Sequence, residues 1–119
     1  MIAMTFTLFI VNDAPYGNER AYNALRLAGA LASRDGQAVR LFLMAEAVGC
    51  AKSGQKVPEG YYNVQIMMGK VARKGEIGLW GTCMDARGLR DDELIEGAKR
   101  GTLAHLADWT AEADKVLVF

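Results

Sequence analysis

Cys83 is the residue of this chain best placed for chemistry, with a carboxylate at Asp85 and a cation at Arg87 close behind it. A thiol reacts as its thiolate, and a nearby cation or a helix N-terminus favours that form. One helical turn from Met84 to Arg87 folds the guanidinium back beside the sulfur, while Asp85 acts in the opposite sense. Cys50 is the second thiol, with Lys52 as its nearest cation. If the two cysteines meet, an intramolecular disulfide or a sulfur hand-off becomes available. Each is also accounted for as a small buried hydrophobe, which is how free cysteines commonly serve. The position of Cys83 at a strand end tips the balance there toward a working thiol; for Cys50 the two readings weigh equally.

Other chemistries fit less well. Cys83 and Arg87 stand too close together for the loop of backbone N–H groups with which cysteine phosphatases cradle phosphate. The first strand is followed by Asn12 to Asn18, with neither a G-x-G-x-x-G nor a Walker sequence. A zinc site would need Cys50, Cys83 and His105 to converge without any short ligand spacing, and no metal is expected. His105, the single histidine, falls within a helix and reads as a surface or structural residue. Tyr61, Tyr62 and Asn63 are placed to line a pocket, although tyrosine at a helix start is more commonly a packing residue.

The elements that must position these groups alternate. Thr5 to Val11 is rich in β-branched and aromatic residues and reads as a buried strand. Asn18 caps a helix from Glu19 to about Arg34, with Ala21, Ala24, Leu25, Leu27, Ala28, Leu31 and Ala32 toward the sheet and Gly36 at its end. Ala38 to Met44 is a second strand, and Ala45 to Ala51 a short helix. Lys52 to Gly60 is a polar, Gly-bearing loop, long for a connection and expected to be more mobile than its flanks. Tyr61 to Lys74 is a helix with Val64, Met67, Met68 and Val71 on one stripe and Gly75 as its cap.

Ile77 to Trp80 is a short apolar run bounded by Gly75 and Gly81, and Cys83 comes after it in a Gly-bracketed loop. Asp91 to Glu93 opens a short helix, and Gly97 and Gly101 break up the stretch beyond it. Thr102 caps a helix to about Ala113, with Leu103, Leu106, Ala107 and Thr110 on one face, and Lys115 to Phe119 is a last strand. This order predicts an α/β fold: a mainly parallel sheet of four strands, or five, with helices on both faces. Cys83 then lies at the carboxyl ends of the strands, where such sheets place ligand and catalytic groups.

With 119 residues the chain makes one domain, 1–119. Fourteen basic and fourteen acidic residues cancel, so neither nucleic acid nor an anionic membrane surface is expected as a partner. No apolar run approaches the ~20 residues of a membrane span. Met1 to Phe6 has no basic residue ahead of its apolar run and reads as part of the first strand, not as a signal peptide. The cytoplasm is therefore the expected compartment, where thiols stay reduced unless catalytic or redox-active.

Gly81-Thr82-Cys83-Met84-Asp85-Ala86-Arg87-Gly88, with Cys50-Ala51-Lys52, Gly54-Gln55 and Gly60-Tyr61-Tyr62-Asn63 upstream, resembles the DsrE/DsrF-like family. The closing Glu112 to Phe119 resembles it too, so the likeness extends over nearly the whole chain. It implies a three-layer fold assembling as a homotrimer or homohexamer; no cofactor is expected. It also implies sulfur carried as a cysteine persulfide within a relay of donor and acceptor proteins. By position the carrier is Cys83, with Arg87 favouring its anion and Cys50 secondary. Gly81, Thr82, Asp85, Tyr61 and Asn63 would shape the substrate site. Two other readings stand beside this sulfurtransferase one: a non-catalytic module that binds a small ligand or a protein, and a thiol redox sensor using Cys50 and Cys83.

Overall fold

The computed structural model describes residues 4–119, so the strand expected at Met1–Ala3 lies outside the described residues. β1 (Thr5–Val11) and β2 (Gln37–Leu43) pair in parallel from Thr5 opposite Gln37 to Val11 opposite Leu43. β3 (Glu76–Trp80) joins the far side of β2, and β5 (Lys115–Val118) joins β1. The strand left undecided by the sequence is β4 (Ala98–Gly101), which lies along β3 where Gly97 and Gly101 read as breaks. Its Lys99 and Arg100 are exposed on an edge, so no apolar run marks it. The sheet runs β4-β3-β2-β1-β5, parallel throughout. Strand order reverses between β1 and β5, where ligands of open sheets usually sit. Here Asn12 fills that crevice, donating its backbone N–H (2.9 Å) and Nδ2 (3.2 Å) to the Phe119 carbonyl.

Side-chain alternation along the strands splits the interior into two layers. Phe9, Val11, Val39, Leu41, Leu43, Ile77 and Leu79 face α1 (Arg20–Ala32) and α2 (Val64–Ala72). Ala21, Ala24 and Ala28 are wholly buried, and such small residues let α1 settle close on the strands. Phe6, Leu8 and Phe42 face the other way, toward Leu106 and Trp109 of α4 (Leu103–Glu112). The fold is thus a three-layer α/β/α sandwich with one thick and one thin apolar layer. Arg40 clips the thin layer together. Its guanidinium sits 4.1 Å from the Phe6 ring centre and 5.3 Å from that of Trp109, and it bonds Glu76 and Glu112, each at 2.8 Å.

Several expected boundaries and faces shift. α1 begins at Arg20, whose N–H is accepted by the Asn18 side chain at 3.0 Å, and Leu27 on it is exposed. α2 begins at Val64, not Tyr61, because Asn63 caps it by accepting the Ile66 N–H at 3.2 Å. Thr102 caps α4 as expected, accepting the His105 N–H at 3.2 Å. The buried face of α4 is Leu106 and Trp109, however, with Leu103, Ala107 and Thr110 exposed. The indole sets that face: Trp109 meets Phe42 edge-on and takes His105 against its own ring at 4.3 Å. His105 is accordingly a packing residue. No helix among the described residues is long and apolar enough to cross a membrane.

Gly75 lies between α2 and β3, where its N–H bonds the Val71 carbonyl at 2.8 Å. A Cβ there would collide with the carbonyl oxygen of Val39, and backbone cannot move aside as a side-chain tip does. Gly75→Ala should therefore destabilise the protein by about 1–3 kcal/mol, the range for forcing atoms into a packed interior. Urea unfolding checks this; an unchanged midpoint would refute the contact.

Candidate functional site

The strand β3 passes into a helix without any connecting residue: α3 spans Gly81–Ala86 directly after Trp80. Cys83 is therefore the third residue of a helix and not part of a loop, as its bracketing glycines suggest. The helix ends in a Schellman motif, with Gly88 at φ +64, its N–H on the Asp85 carbonyl (3.1 Å) and the Leu89 N–H on that of Met84 (2.9 Å). Met84 and Leu89 are buried beneath, while Thr82, Asp85 and Arg87 are exposed.

The Cys83 sulfur is half-buried and accepts the backbone N–H of Ala45 at 3.2 Å. Ala45 comes after β2 at φ +49, a left-handed conformation that alanine adopts only against a cost of about 1–2 kcal/mol. That turn aims its N–H across the strand ends at the sulfur. Nothing in the side chain of Ala45 advertises this role, which is why residue-type reasoning passes over it.

Arg87 takes a different place from the one expected. Its Nη1 donates to the Cys83 carbonyl at 3.1 Å, and its Nε and Nη2 reach Glu46 Oε1 at 3.0 and 2.8 Å. The guanidinium thus anchors the backbone of Cys83 and carries its own counterion, and its bonds run to oxygens rather than to the sulfur. Asp85 is also paired, accepting from Arg100 Nη1 at 3.0 Å. A cleft of about 230 Å³ lies beside the Arg87–Glu46 pair, lined in part by Pro15, Gly49, Lys52 and Glu93.

Cys50 belongs to a 3-10 segment, Ala45–Ala51, and is 1% exposed. Burial pushes its thiol up to about 12, so it stays protonated and unreactive at neutral pH. Both cysteines are free thiols. Tyr61 and Asn63 are drawn into a different cluster. Tyr61 stacks on Tyr62 at 4.5 Å, Tyr62 on Tyr22 at 4.2 Å, and Asn63 Nδ2 donates to the Gln55 carbonyl at 3.4 Å. The neighbouring Tyr61 hydroxyl and desolvation push the Tyr62 phenol up to about 12.

Gln55 is the hub of that cluster and was not legible as such. Its Nε2 donates to the carbonyls of Cys50 (3.0 Å) and Lys52 (2.8 Å), and its Oε1 accepts from Tyr16 (2.6 Å). Ser53 adds a backbone bond to the Glu93 carbonyl at 2.8 Å. The first half of the Lys52–Gly60 loop is therefore tied down at both side chain and backbone.

The same fold recurs in proteins of similar sequence. The profile of the DsrE/DsrF-like family matches residues 7–119. YchN of Escherichia coli K12 is 44% identical over 113 residues, which cover 94% of this chain and 97% of that protein. An uncharacterized protein of Methanocaldococcus jannaschii is 38% identical over 98% of this chain and all of its own length. The crystal structure of ychN protein from E. coli superposes with a TM-score of 0.92, covering 98% of this chain and 100% of that one. A protein of unknown function from Methanobacterium thermoautotrophicum, 11% identical, shares the fold with a TM-score of 0.74. By the extent of the profile match and the identity to YchN, the chain belongs to the DsrE/DsrF-like family.

Proposed function

We propose that the protein is a cytoplasmic sulfur carrier that holds sulfane sulfur as a persulfide on Cys83. The observation that carries this reading is the contrast between its two thiols. Cys83 is half-exposed and accepts the Ala45 N–H, whereas Cys50 is sealed in the core with its thiol pushed up to about 12. Membership of a family that resembles sulfur-relay proteins supports the same reading.

The reaction is an exchange without net oxidation. The Cys83 thiolate attacks the outer sulfur of a donor persulfide. A new S–S bond forms at Cys83, the donor's S–S bond breaks, and the donor leaves as its thiolate. An acceptor thiolate then attacks the outer sulfur on Cys83, takes it up as a persulfide, and releases the Cys83 thiolate. The Ala45 N–H donates to the sulfur, and Arg87 holds the peptide from which the sulfur projects. Glu46, Arg87, Lys52 and Glu93 offer both charge signs to a partner protein beside the site. A redox sensor built on both cysteines fits less well, because a thiol as buried as Cys50 is a poor partner for exchange.

The carrier is proposed to work as a homotrimer or homohexamer. β5 is an edge strand whose Val116 and Val118 are 40% and 65% exposed. They pair with Leu8 and Ile10 and so share the face covered by α4. An open apolar edge of this kind invites pairing with another chain.

Incubation with a persulfide donor should add one sulfur to the wild-type protein and to Cys50→Ser, and none to Cys83→Ser, read by intact mass. Arg87→Ala should slow uptake severalfold. Uptake by Cys83→Ser at the wild-type rate would move the carrier to Cys50 and overturn the reading. Light scattering should return the mass of three or six chains, and Val118→Asp should lower it; a monomer mass over a wide concentration range would remove the assembly.

A further inference from the structure

Arg100 occupies β4, the strand no sequence pattern marks, yet its side chain leaves that edge and crosses to α3. Nη1 donates to the Gly81 carbonyl at 3.1 Å and to Asp85 Oδ1 at 3.0 Å, and Nε donates to Asp91 Oδ1 at 2.9 Å. Gly81 and Asp85 stand one turn apart on the helix that carries Cys83. The arginine lies flat against Gly81: a Cβ there would be 2.9 Å from Nη1 and 3.1 Å from Cγ. A side chain at position 81 would push the guanidinium out of this place, and only a planar fork with several donors makes these three bonds at once.

We infer that Arg100 is a positioning residue for Cys83, tying both ends of the helix that bears the thiol and neutralising the carboxylate nearest to it along the chain. This inference deepens the proposed function and rests on Cys83 being the reactive thiol. Exposed ion pairs add little to stability, and the Arg100 side chain is 34% exposed, with Asp85 and Asp91 more so. What Arg100 governs is orientation and local charge. Without it, Asp85 carries an uncompensated charge two residues from the sulfur, and the Gly81 carbonyl loses its external donor. Arg87 does not substitute, because it is committed to Glu46 and the Cys83 carbonyl.

The test is the rate at which iodoacetamide alkylates each cysteine in the full chain at about pH 7, followed by peptide mass. In this reaction the Cys83 thiolate displaces iodide, so the rate reports the thiol itself whether or not the protein carries sulfur. Arg100→Gln should slow alkylation of Cys83 about threefold, the scale of a single screened charge close by. Arg100→Lys, which keeps the charge but not the fork, should fall between. Adding Asp85→Asn to Arg100→Gln should recover most of the lost rate, a coupling that a purely structural role would not produce. Buried Cys50 should stay unlabelled throughout. A rate for Arg100→Gln equal to or above wild type, no recovery in the double variant, or labelling of Cys50 alongside Cys83 would each overturn the inference. Failure of sulfur uptake with these alkylation results intact would instead remove the proposed function and leave the positioning role standing.

Discussion

A helix of six residues has too few internal hydrogen bonds to hold itself, since helix nucleation alone costs most of what one and a half turns return. α3 is such a helix, and its direction is fixed from outside. Met84 pins it to the thick core layer, the Gly88 turn folds Leu89 back under it, and Arg87 and Arg100 each bond one of its carbonyls. The Cys83 sulfur inherits its position from these ties. Ala45, arriving from the end of the neighbouring strand in a left-handed conformation, supplies the complementary donor.

The two cysteines illustrate how burial sets identical side chains in different surroundings. Cys50 and Cys83 both come after strands that end on the same edge of the sheet. Cys50 turns inward among Ala47, Val48 and Ala51, where a charged sulfur would lack solvation. Cys83 stays at the boundary, in contact with the core yet partly exposed. No difference in local sequence charge separates them as sharply as this difference in depth.

Much of the architecture was legible because it rests on apolar patterning. Thr5–Val11, Gln37–Leu43 and Ile77–Trp80 are nearly continuous apolar runs, as strands buried on both faces must be. The placement of Cys83 at the sheet's carboxyl end follows from the same logic, since it stands just past such a run. What failed had no such pattern. β4 buries little beyond Gly101, so its pairing with β3 leaves no mark on residue type. The α4 face depends on where one indole finds aromatic partners on the sheet, which helical periodicity alone does not decide. Arg100, Ala45 and Gln55 act through long-range bonds, or through a backbone N–H, and sequence proximity to Cys83 points to none of them.

The position of β1 in the sheet has a further consequence for how the chain is built. β1 lies between β2 and β5, and the Phe6 N–H bonds the Asp114 side chain across a separation of 108 residues. During synthesis the first strand emerges long before its second neighbour. Until Lys115–Val118 appear, one side of β1 offers unpaired N–H and C=O groups flanked by Leu8 and Ile10. The nascent sheet thus keeps β1 as an open apolar edge until β5 has been made. A contact so distant along the chain closes slowly. This interval is the one in which such a protein is most exposed to mispairing and has most to gain from a chaperone.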